Sequence, residues 1–348
     1  MLIENNTSTS QPNRLDGMAA IHVVRTPPKP SVVYDTYWKF AAERQNVYFR
    51  RLGDTEGPWT DDPILSEFKF TNPYRAADRT SQYLIQKVIY ASNTDLRNTV
   101  FRILLFKIFN KVETWKLLES RVENLDISTF DVTTFDQVLE HARQNKTSIY
   151  SAAYIMPSGA ATNRLARKHQ MHLRLLADIL ADGLPEKLAG ARTMQEAYNL
   201  LLALPSIGPF LAYQFVTDLN YSDHFAYSEM EFVMPGPGAK DGIKKAFVSP
   251  GDYSDADIIR WVTERQEEEI RKRDLDFRTL WGRPLQLIDC QNLFCECDKY
   301  ARVAHPEVSG FSGRSKIKQR FAPAAAEPLR PWFPPKWKLN TNIPCATL

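Results

Sequence analysis

A helix that runs into a Pro-x-x-Gly turn is the feature that most constrains this chain. The segment Ala197–Leu204 is apolar, and a second helix is expected to leave the turn from Pro209. A glycine would let the backbone turn tightly and approach a ligand closely, and the N–H groups that open the second helix can hold an anion. The pattern predicts a helix-hairpin-helix over about residues 197–218 that binds DNA phosphates, although Pro-x-x-Gly also joins helices that contact no DNA. The residues predicted to contact DNA here are Ser206, Gly208 and Phe210.

The rest of the chain predicts a mostly all-α fold. No sustained alternation of apolar and polar residues is bounded by turn signals, and short strands are conceivable only at Phe225–Tyr227 and Phe232–Met234. Helices are predicted over Val32–Leu52, Leu84–Ala91, Leu96–Phe109, Val112–Arg121, Asp131–Asn145 (with Thr134 as a cap), Leu165–Ala181, Thr193–Leu204, Asp255–Asp276 and Leu285–Val303.

Composition divides the 348 residues into three parts. Residues 1–31 are polar, with prolines at 27, 28 and 30, which favours a disordered leader. Residues 32–308 are expected to form the helical domain, and residues 309–348 a basic, Pro-rich arm. Residues 310–338 hold seven Lys/Arg and one acid, so +6 lies there and −3 on the remainder, for a net charge of +3. A basic arm on a slightly acidic body suits a polyanion partner, and it is equally typical of a solvated tail.

Several classes of protein do not fit the sequence. No apolar run approaches the roughly 18 residues of a membrane span, and no secretory h-region is present. Cys290, Cys295 and Cys297 lie close together in sequence, which is not an extracellular disulfide framework, so a cytoplasmic location is expected. No Gly-Lys-Ser/Thr ending of a P-loop occurs, which argues against a nucleoside-triphosphate kinase. The same cysteines could form a metal site with His305, but buried cysteines on a helix are the simpler interpretation, and no metal or cofactor is predicted.

Two carboxylates follow the hairpin at a characteristic interval. Glu229 and Glu231 lie 21 and 23 residues beyond Gly208. In this respect the chain resembles the helix-hairpin-helix DNA glycosylases, whose catalytic Asp follows the hairpin at about that interval. Ser228 occupies the nearest matching position, so the resemblance implies a displaced acid. Phe210 stands where the lyase branch of that superfamily has a lysine, so Schiff-base chemistry is not expected.

A second resemblance extends from Val33 to Trp337. The strings FTNPYRAADRTSQYL, LPSIGPFLAYQ, TDLNYS, PGPGAKDGI and QNLFCECDKY resemble the phage and bacterial family of α-glutamyl/putrescinyl-thymine pyrophosphorylases, also described as the helical domain associated with 5-hydroxymethyldeoxyuridine DNA kinase. Bacterial anti-phage glycosylases that excise glucosylated hydroxymethylcytosine are similar. The resemblance implies two helical lobes with a base pocket between them, and double-stranded DNA with modified bases as the partner. It implies no membrane partner and leaves protein partners open.

The roles implied for individual residues follow from base flipping, because a base inside a duplex cannot be reached. A carboxylate near C1′ would stabilise an oxocarbenium-like sugar and orient water. The catalytic candidates are Glu229, Glu231 and, behind them, Asp241. The further DNA-binding candidates are Lys244, Lys245, Arg314, Lys316 and Lys318. The base-pocket candidates are Asn72, Tyr74, Arg75, Asp78, Arg79, Tyr154, Tyr227, Asp289, Asn292, Glu296 and Lys299.

Structural roles remain open for many of these residues. Asn72 before Pro73 is predicted to cap a helix on which Arg75, Asp78 and Arg79 share one face, and a local ladder of ion pairs there would need no ligand. Three functions also remain open. The first is a glycosylase that removes a modified pyrimidine, in defence against phage. The second is a transferase in which an amine displaces pyrophosphate from an activated 5-methyl group. The third is a protein that binds modified DNA without catalysis.

Overall fold

The computed structural model describes residues 25–54, 56–92, 95–152, 156–157, 167–322 and 329–344. Most of the predicted leader and the base-pocket candidate Tyr154 lie outside these residues. The α-helices of the described part are α1 Val32–Gly53, α2 Pro63–Glu67, α3 Arg79–Tyr83, α4 Leu96–Phe109, α5 Val112–Glu119, α6 Val132–Gln144, α7 Lys168–Ala181, α8 Leu184–Gly190, α9 Met194–Leu202, α10 Pro209–Leu219, α11 Pro237–Ala246, α12 Asp255–Glu264, α13 Gln266–Lys272 and α14 Leu287–Ala304. The predicted all-α class is confirmed.

Shorter elements complete the fold. Residues Arg75–Ala77 and Pro335–Trp337 form 3₁₀ turns, and Leu84–Ile89 forms a π-helix directly after α3. The strands β1 (Lys29–Pro30) and β2 (Phe247–Ser249) pair antiparallel and join the start of the domain to the end of α11. The strand predictions at 225–227 and 232–234 are wrong: both segments lie in the irregular connection between α10 and α11.

Polar caps define where several helices begin. The side chain of Ser31 accepts a hydrogen bond from the N–H of Val33 at the start of α1, and Thr193 caps α9. Asp131, not the predicted Thr134, caps α6, because its carboxylate accepts a hydrogen bond from the Thr134 N–H. Each cap satisfies N–H groups that have no partner within the helix.

The predicted helix over 255–276 is wrong in its extent. It divides at Arg265 into α12 and α13, and α13 ends at Lys272. The side chain of Gln266, just after the break, bonds both the carbonyl and the N–H of Leu285. The helix thus breaks next to a residue that bonds a distant part of the chain, although the charged sequence pattern continues past the break.

Helices α11 and α14 are in direct backbone contact at the centre of the fold. A Cβ atom on Gly242 would lie 2.0 Å from the carbonyl oxygen of Phe294. A Cβ atom on Gly238 would lie 3.1 Å from Sγ of Cys295. These glycines allow close helix packing, and residues 237–246 of the glycine-rich segment form helix α11.

The cysteines of α14 belong to this packing. Cys290 and Cys297 are completely buried, Cys295 is half-buried, and all three are free thiols. Burial raises the pKa of each of these thiols to about 12. The interpretation as buried helix cysteines is confirmed for Cys290 and Cys297.

The basic arm lies along the surface of the helical domain. The carbonyl of Lys316 accepts a hydrogen bond from Arg302 on α14, and the Gln319 carbonyl accepts one from the Lys69 N–H. Further along, Phe333 and Leu339 are buried in the core. The described part of the arm is therefore packed against the helical domain.

Candidate DNA-binding and catalytic site

Two helices flank the predicted turn, but the left-handed residue of the turn lies two positions before the predicted glycine. Helix α9 ends at Leu202 and α10 begins at Pro209. The left-handed residue is Ser206, with φ of 64°, whereas Gly208 has φ of −84° and is extended. Gly208 is exposed, and no described atom would lie within 4 Å of a Cβ added there. Gly208 therefore leaves open space beside the start of α10. Its backbone conformation is one that any residue can adopt.

Helix α11 begins beside the hairpin. Helix α10 follows Gly208 and α11 follows Gly236; both have proline at the first helical position, and neither has a side-chain cap within the described part of the chain. The ring of Phe210 packs on Gly236, where an added Cβ would lie 2.6 Å from it. Two helix N-termini with positive dipole ends are thus neighbours, which is an arrangement suited to anions.

The two lysines predicted to contact phosphates on α11 differ completely in environment. Lys244 is exposed, as is Lys240 one turn earlier. Lys245 is 1% exposed, and its Nζ lies 2.9 Å from Oδ1 of Asp298 on α14. Lys245 therefore holds α11 to α14, and the prediction that it binds DNA is not supported by its position.

Arg75 is the centre of a buried polar network between the segment 70–78 and the hairpin. Its Nη1 lies 2.6 Å from Oδ1 and its Nη2 3.1 Å from Oδ2 of Asp218 on α10. Its Nε donates to Gln214, also on α10, at 2.9 Å. Lys107 on α4 contacts the same carboxylate at 2.8 Å. The second hairpin helix is therefore fixed by charge to two other parts of the chain.

The network determines which of its acids stay ionised. Burial alone would raise the pKa of Asp218, but Arg75 and Lys107 outweigh it and lower the pKa below its usual value. Asp289 accepts a hydrogen bond from the Arg75 backbone N–H at 2.9 Å, and burial raises its pKa. Asp289 also completes the capping box of α14 with Gln286.

The prediction that Arg75, Asp78 and Arg79 share one helix face is wrong, as is the capping role of Asn72. The 3₁₀ turn ends at Asp78, whose ψ of 146° interrupts the helical path before α3 begins. Arg75 is buried and Arg79 points to solvent, where it pairs with Glu113 at 3.0 Å. The N–H of Asn72 instead donates to Asp78 at 2.8 Å. Burial raises the pKa of Asp78 to about 7.

The polar face of α14 lies against the same segment. Asn292 Nδ2 donates to the Asn72 carbonyl at 3.0 Å, and Glu296 accepts from the Thr71 N–H at 2.9 Å. Lys299 pairs with Glu296 at 2.7 Å. Asp289, Asn292, Glu296 and Lys299 are thus brought together as the spacing predicted, and three of them bind the backbone of residues 71–75. These bonds give them a structural role.

The candidate acids after the hairpin occupy three different environments. Glu229 forms an ion pair with Arg283, and both side chains are largely buried. Glu231 is exposed, and its carbonyl accepts a hydrogen bond from Arg260 at 2.6 Å. Asp241 lies on α11, away from the connection that carries the other two. Glu229 is therefore the carboxylate that combines position after the hairpin with a fixed orientation.

Asp241 anchors the basic arm. It accepts hydrogen bonds from the Ser312 N–H at 3.0 Å, from the Ser312 hydroxyl, and from Arg314 at 2.9 Å. Burial would raise the pKa of Asp241, but these bonds hold it below its usual value. Arg314, Lys316 and Lys318 are exposed, as a role in DNA binding requires.

The two aromatic candidates within the described residues, Tyr74 and Tyr227, are not exposed stacking platforms. Tyr74 is 1% exposed, and its hydroxyl donates to the Arg283 carbonyl at 2.7 Å. Tyr227 is half-buried, and its hydroxyl donates to the Leu188 carbonyl at 2.7 Å. Sequence reasoning missed Arg283 and Trp337, whose ring centroid lies 3.8 Å from the Arg283 guanidinium carbon. No spacing rule connects Arg283 to Glu229, 54 positions away.

Two surface pockets and the metal-ligating side chains of the described residues add no second centre around the candidate acids. Two surface pockets of about 430 and 520 Å³ are lined by none of the three candidate acids. Within the described ranges, no three His, Cys, Asp or Glu side chains are placed to hold a metal ion.

Comparison with known protein families supports the resemblance that the sequence strings indicated. The family profile of the 5-hmdU DNA kinase helical domain matches residues 31–310. The chain belongs to this family. The 5-hmdU DNA kinase helical-domain match includes the hairpin, the segment 70–84 and α14, and ends just before Phe311. The predicted relation to this family is therefore confirmed.

One curated relative gives the scale of the similarity. A protein named 5-hmdU DNA kinase from Bacillus phage SP10 is 25% identical over 300 residues. The match covers 80% of this chain and 46% of the relative, so the chain spans less than half of that protein's length. No solved structure matches the chain. None of the helices in the described ranges is both long and apolar enough to cross a membrane.

Proposed function

We propose that this protein is an enzyme that acts on modified pyrimidines in DNA, and that it is a glycosylase that removes a hydroxymethylated or glucosylated pyrimidine in defence against phage. The observation that carries the proposal is the Glu229–Arg283 ion pair. Glu229 lies on the connection from the end of α10 to the N-terminus of α11, and Arg283 lies between α13 and α14. The name of the phage relative refers to 5-hmdU DNA, which supports a hydroxymethylated pyrimidine as the substrate.

The hairpin and α11 would hold the DNA backbone. Exposed Gly208 allows a phosphate to approach the N–H groups of α10, and the N-terminus of α11 lies beside it. Lys240 and Lys244 on the exposed side of α11 add positive charge. Each phosphate contact releases counterions, so binding should weaken steeply with salt.

Glu229 would supply the carboxylate at the sugar. The C1′–N1 bond breaks and its electron pair leaves with the base, while the C1′ centre gains positive character that a carboxylate stabilises. A water oxygen then bonds to C1′; one of its protons goes to the departing base and the other stays on the new hydroxyl. Arg283 orients Glu229 because its guanidinium donates to the carboxylate.

We assign no phosphoryl transfer to this chain. The sequence contains no Gly-x4-Gly-Lys-Ser/Thr motif, and the match covers 46% of the phage kinase.

A transferase is the second candidate, and the name of the relative favours it. A kinase acting on 5-hmdU DNA implies a phosphorylated 5-hydroxymethyl group. In that reaction an amine nitrogen would bond to the 5-methylene carbon as the phosphate or pyrophosphate leaves. Glu229 would accept the amine proton, and the glycosidic bond would survive.

The two reactions release different products. The protein is incubated with duplexes that contain 5-hydroxymethyluracil, hydroxymethylcytosine or glucosylated hydroxymethylcytosine, and the free bases are measured by mass spectrometry. Release of a free modified base with a matching abasic site is the expected result. A second set of duplexes carries the phosphorylated hydroxymethyl group together with amines. Heavier nucleosides without abasic sites would contradict the glycosylase and establish the transferase.

A further inference from the structure

The turn Gly310–Gly313 is anchored to α11 at several points. Besides its bonds to Ser312 and Arg314, Asp241 packs so closely on Gly310 that an added Cβ would lie 2.9 Å from its carboxyl group. The Gly313 N–H closes the turn on the Gly310 carbonyl at 3.3 Å. Gly313 has φ of 63°, a conformation that suits glycine. The backbone on both sides of Phe311 is therefore fixed.

The side chain at the tip of this turn points to solvent. Phe311 is 73% exposed, more than any other large apolar side chain in the described part of the chain. A single exposed apolar residue needs no explanation by itself. Here, however, a buried acid fixes a short turn that presents a phenyl ring to solvent. Most of the ring surface makes no contact with the protein's core, so it contributes little burial energy. An ordered placement outside the core favours a contact with another molecule.

The surroundings of Phe311 are cationic. The Nζ of Lys244 lies 5.8 Å from the ring centroid. Arg314, Lys316 and Lys318 follow along the arm and are exposed, and residues 308–322 contain no acid. An aromatic ring between cations is complementary to a base step flanked by phosphates, and not to an apolar protein surface.

Helix α11 connects this ring to the hairpin. Its N-terminus is adjacent to the hairpin through Phe210, and Lys244 lies two turns further, about 10 Å along the helix axis. Lys240 and Lys244 are four residues apart and share one side of this helix, with the hairpin beside its N-terminus and the Phe311 ring beside Lys244. That length is comparable with about three base pairs of duplex, at 3.4 Å per step along each strand.

We propose that Phe311 is a wedge that enters a base step of duplex DNA while Lys244 and Arg314 contact the flanking phosphates. Its ring would replace the stacking lost when the target nucleotide leaves the helix, as apolar wedges do in DNA that is kinked or opened. The proposal rests on DNA being the substrate, as proposed above. It assigns Phe311 as a positioning residue, because it acts on the duplex and not on the reacting bond.

The test uses the whole protein and a duplex with 2-aminopurine beside one 5-hydroxymethyluracil. The variants are Phe311→Ala, Phe311→Trp and, as a matched control, Val248→Ala, which changes another exposed apolar residue (64%). Binding of wild type and of Val248→Ala should increase 2-aminopurine fluorescence. Phe311→Ala should lose this increase and bind the duplex about tenfold more weakly, and Phe311→Trp should retain both. On a duplex whose target base is already unpaired, Phe311→Ala should bind within about twofold of wild type.

The outcomes separate this proposal from the proposed function. A Phe311-dependent fluorescence change without base release would support the wedge and contradict the glycosylase. Base release with equal fluorescence and affinity for wild type and Phe311→Ala would overturn the wedge alone. Failure to bind duplex DNA would overturn both. Thermal unfolding should be unchanged in Phe311→Ala, because the side chain is exposed.

Discussion

Arg75 and Asp218 form a buried ion pair although they are 143 positions apart in sequence, with Nη1 of the arginine 2.6 Å from Oδ1 of the aspartate. The pair joins the segment 70–78 to the second helix of the hairpin. Gln214, Tyr221 and Lys107 complete the polar contacts around it. The orientation of the hairpin therefore depends on a charge network inside the protein, and not on the turn sequence alone.

Loss of Arg75 should destabilise the fold strongly. Arg75→Met leaves Asp218 buried with Lys107 as its remaining cation, and removal of one partner of a buried pair costs about 3–5 kcal/mol. Arg79→Met is the matched control, because Arg79 pairs with Glu113 in solvent and should change stability by less than about 1 kcal/mol. The free energy of unfolding from urea titration measures both. Equal effects of the two changes would contradict the structural role of Arg75.

Neighbouring lysines on α11 should separate stability from DNA binding. Lys245→Met removes one of two cationic partners of buried Asp298, which keeps its ion pair with Arg302, and should cost about 3 kcal/mol in unfolding free energy. Lys244→Met should leave stability within about 0.5 kcal/mol but weaken DNA binding and reduce the slope of log K against log salt by about one. Fluorescence anisotropy at several salt concentrations measures the slope. An unchanged slope would remove Lys244 from the DNA interface.

Glu229 and Glu231 should differ in their effect on base release. Glu229→Gln removes the charge that faces Arg283 and should lower the rate by about 100-fold or more, in the range of lost electrostatic stabilisation at a transition state. Glu231→Gln changes an exposed side chain two positions away and should retain activity. Single-turnover rates with saturating enzyme compare the two. Full activity of Glu229→Gln would contradict the catalytic assignment.

Asp78 should make stability depend on pH. Its pKa in the folded protein is about 7, well above the usual value of 3.8, so between pH 4 and 7 the folded state binds a proton that the unfolded state has lost. Stability should therefore fall as pH rises through this window. Asp78→Asn should remove this part of the pH dependence and be more stable than wild type above pH 7. Unfolding free energies at intervals from pH 4 to 8 test this, and parallel curves for both proteins would contradict it.

Local sequence signals were sufficient for most helices. Helix α4 has the predicted bounds Leu96–Phe109, and α10 begins at the predicted Pro209. Apolar runs, proline at the first helical position and stop signals act over a few residues, so the sequence records them directly. The polar face of α14 was also predicted by spacing, because residues three or four apart on a helix must lie together.

Tertiary packing decided which charged side chains are buried and which partners they have, and residue spacing does not determine this. Lys244 and Lys245 are adjacent and chemically identical, yet one is exposed and the other is buried against Asp298. Arg75 and Arg79 were predicted to share a face, but a break at Asp78 sends one inward to Asp218 and the other to solvent. The partner of each charge comes from a distant part of the chain.

The sequence by itself determined the helical class, the position of the hairpin and the family of the chain, because each depends on residues close together in sequence or on matching strings. The tertiary structure decided which acid after the hairpin is held in place. Glu229 acquires its orientation from Arg283, and Asp241 is occupied by the turn that presents Phe311. Burial and ion pairing are properties of the three-dimensional neighbourhood, and only the folded chain creates them.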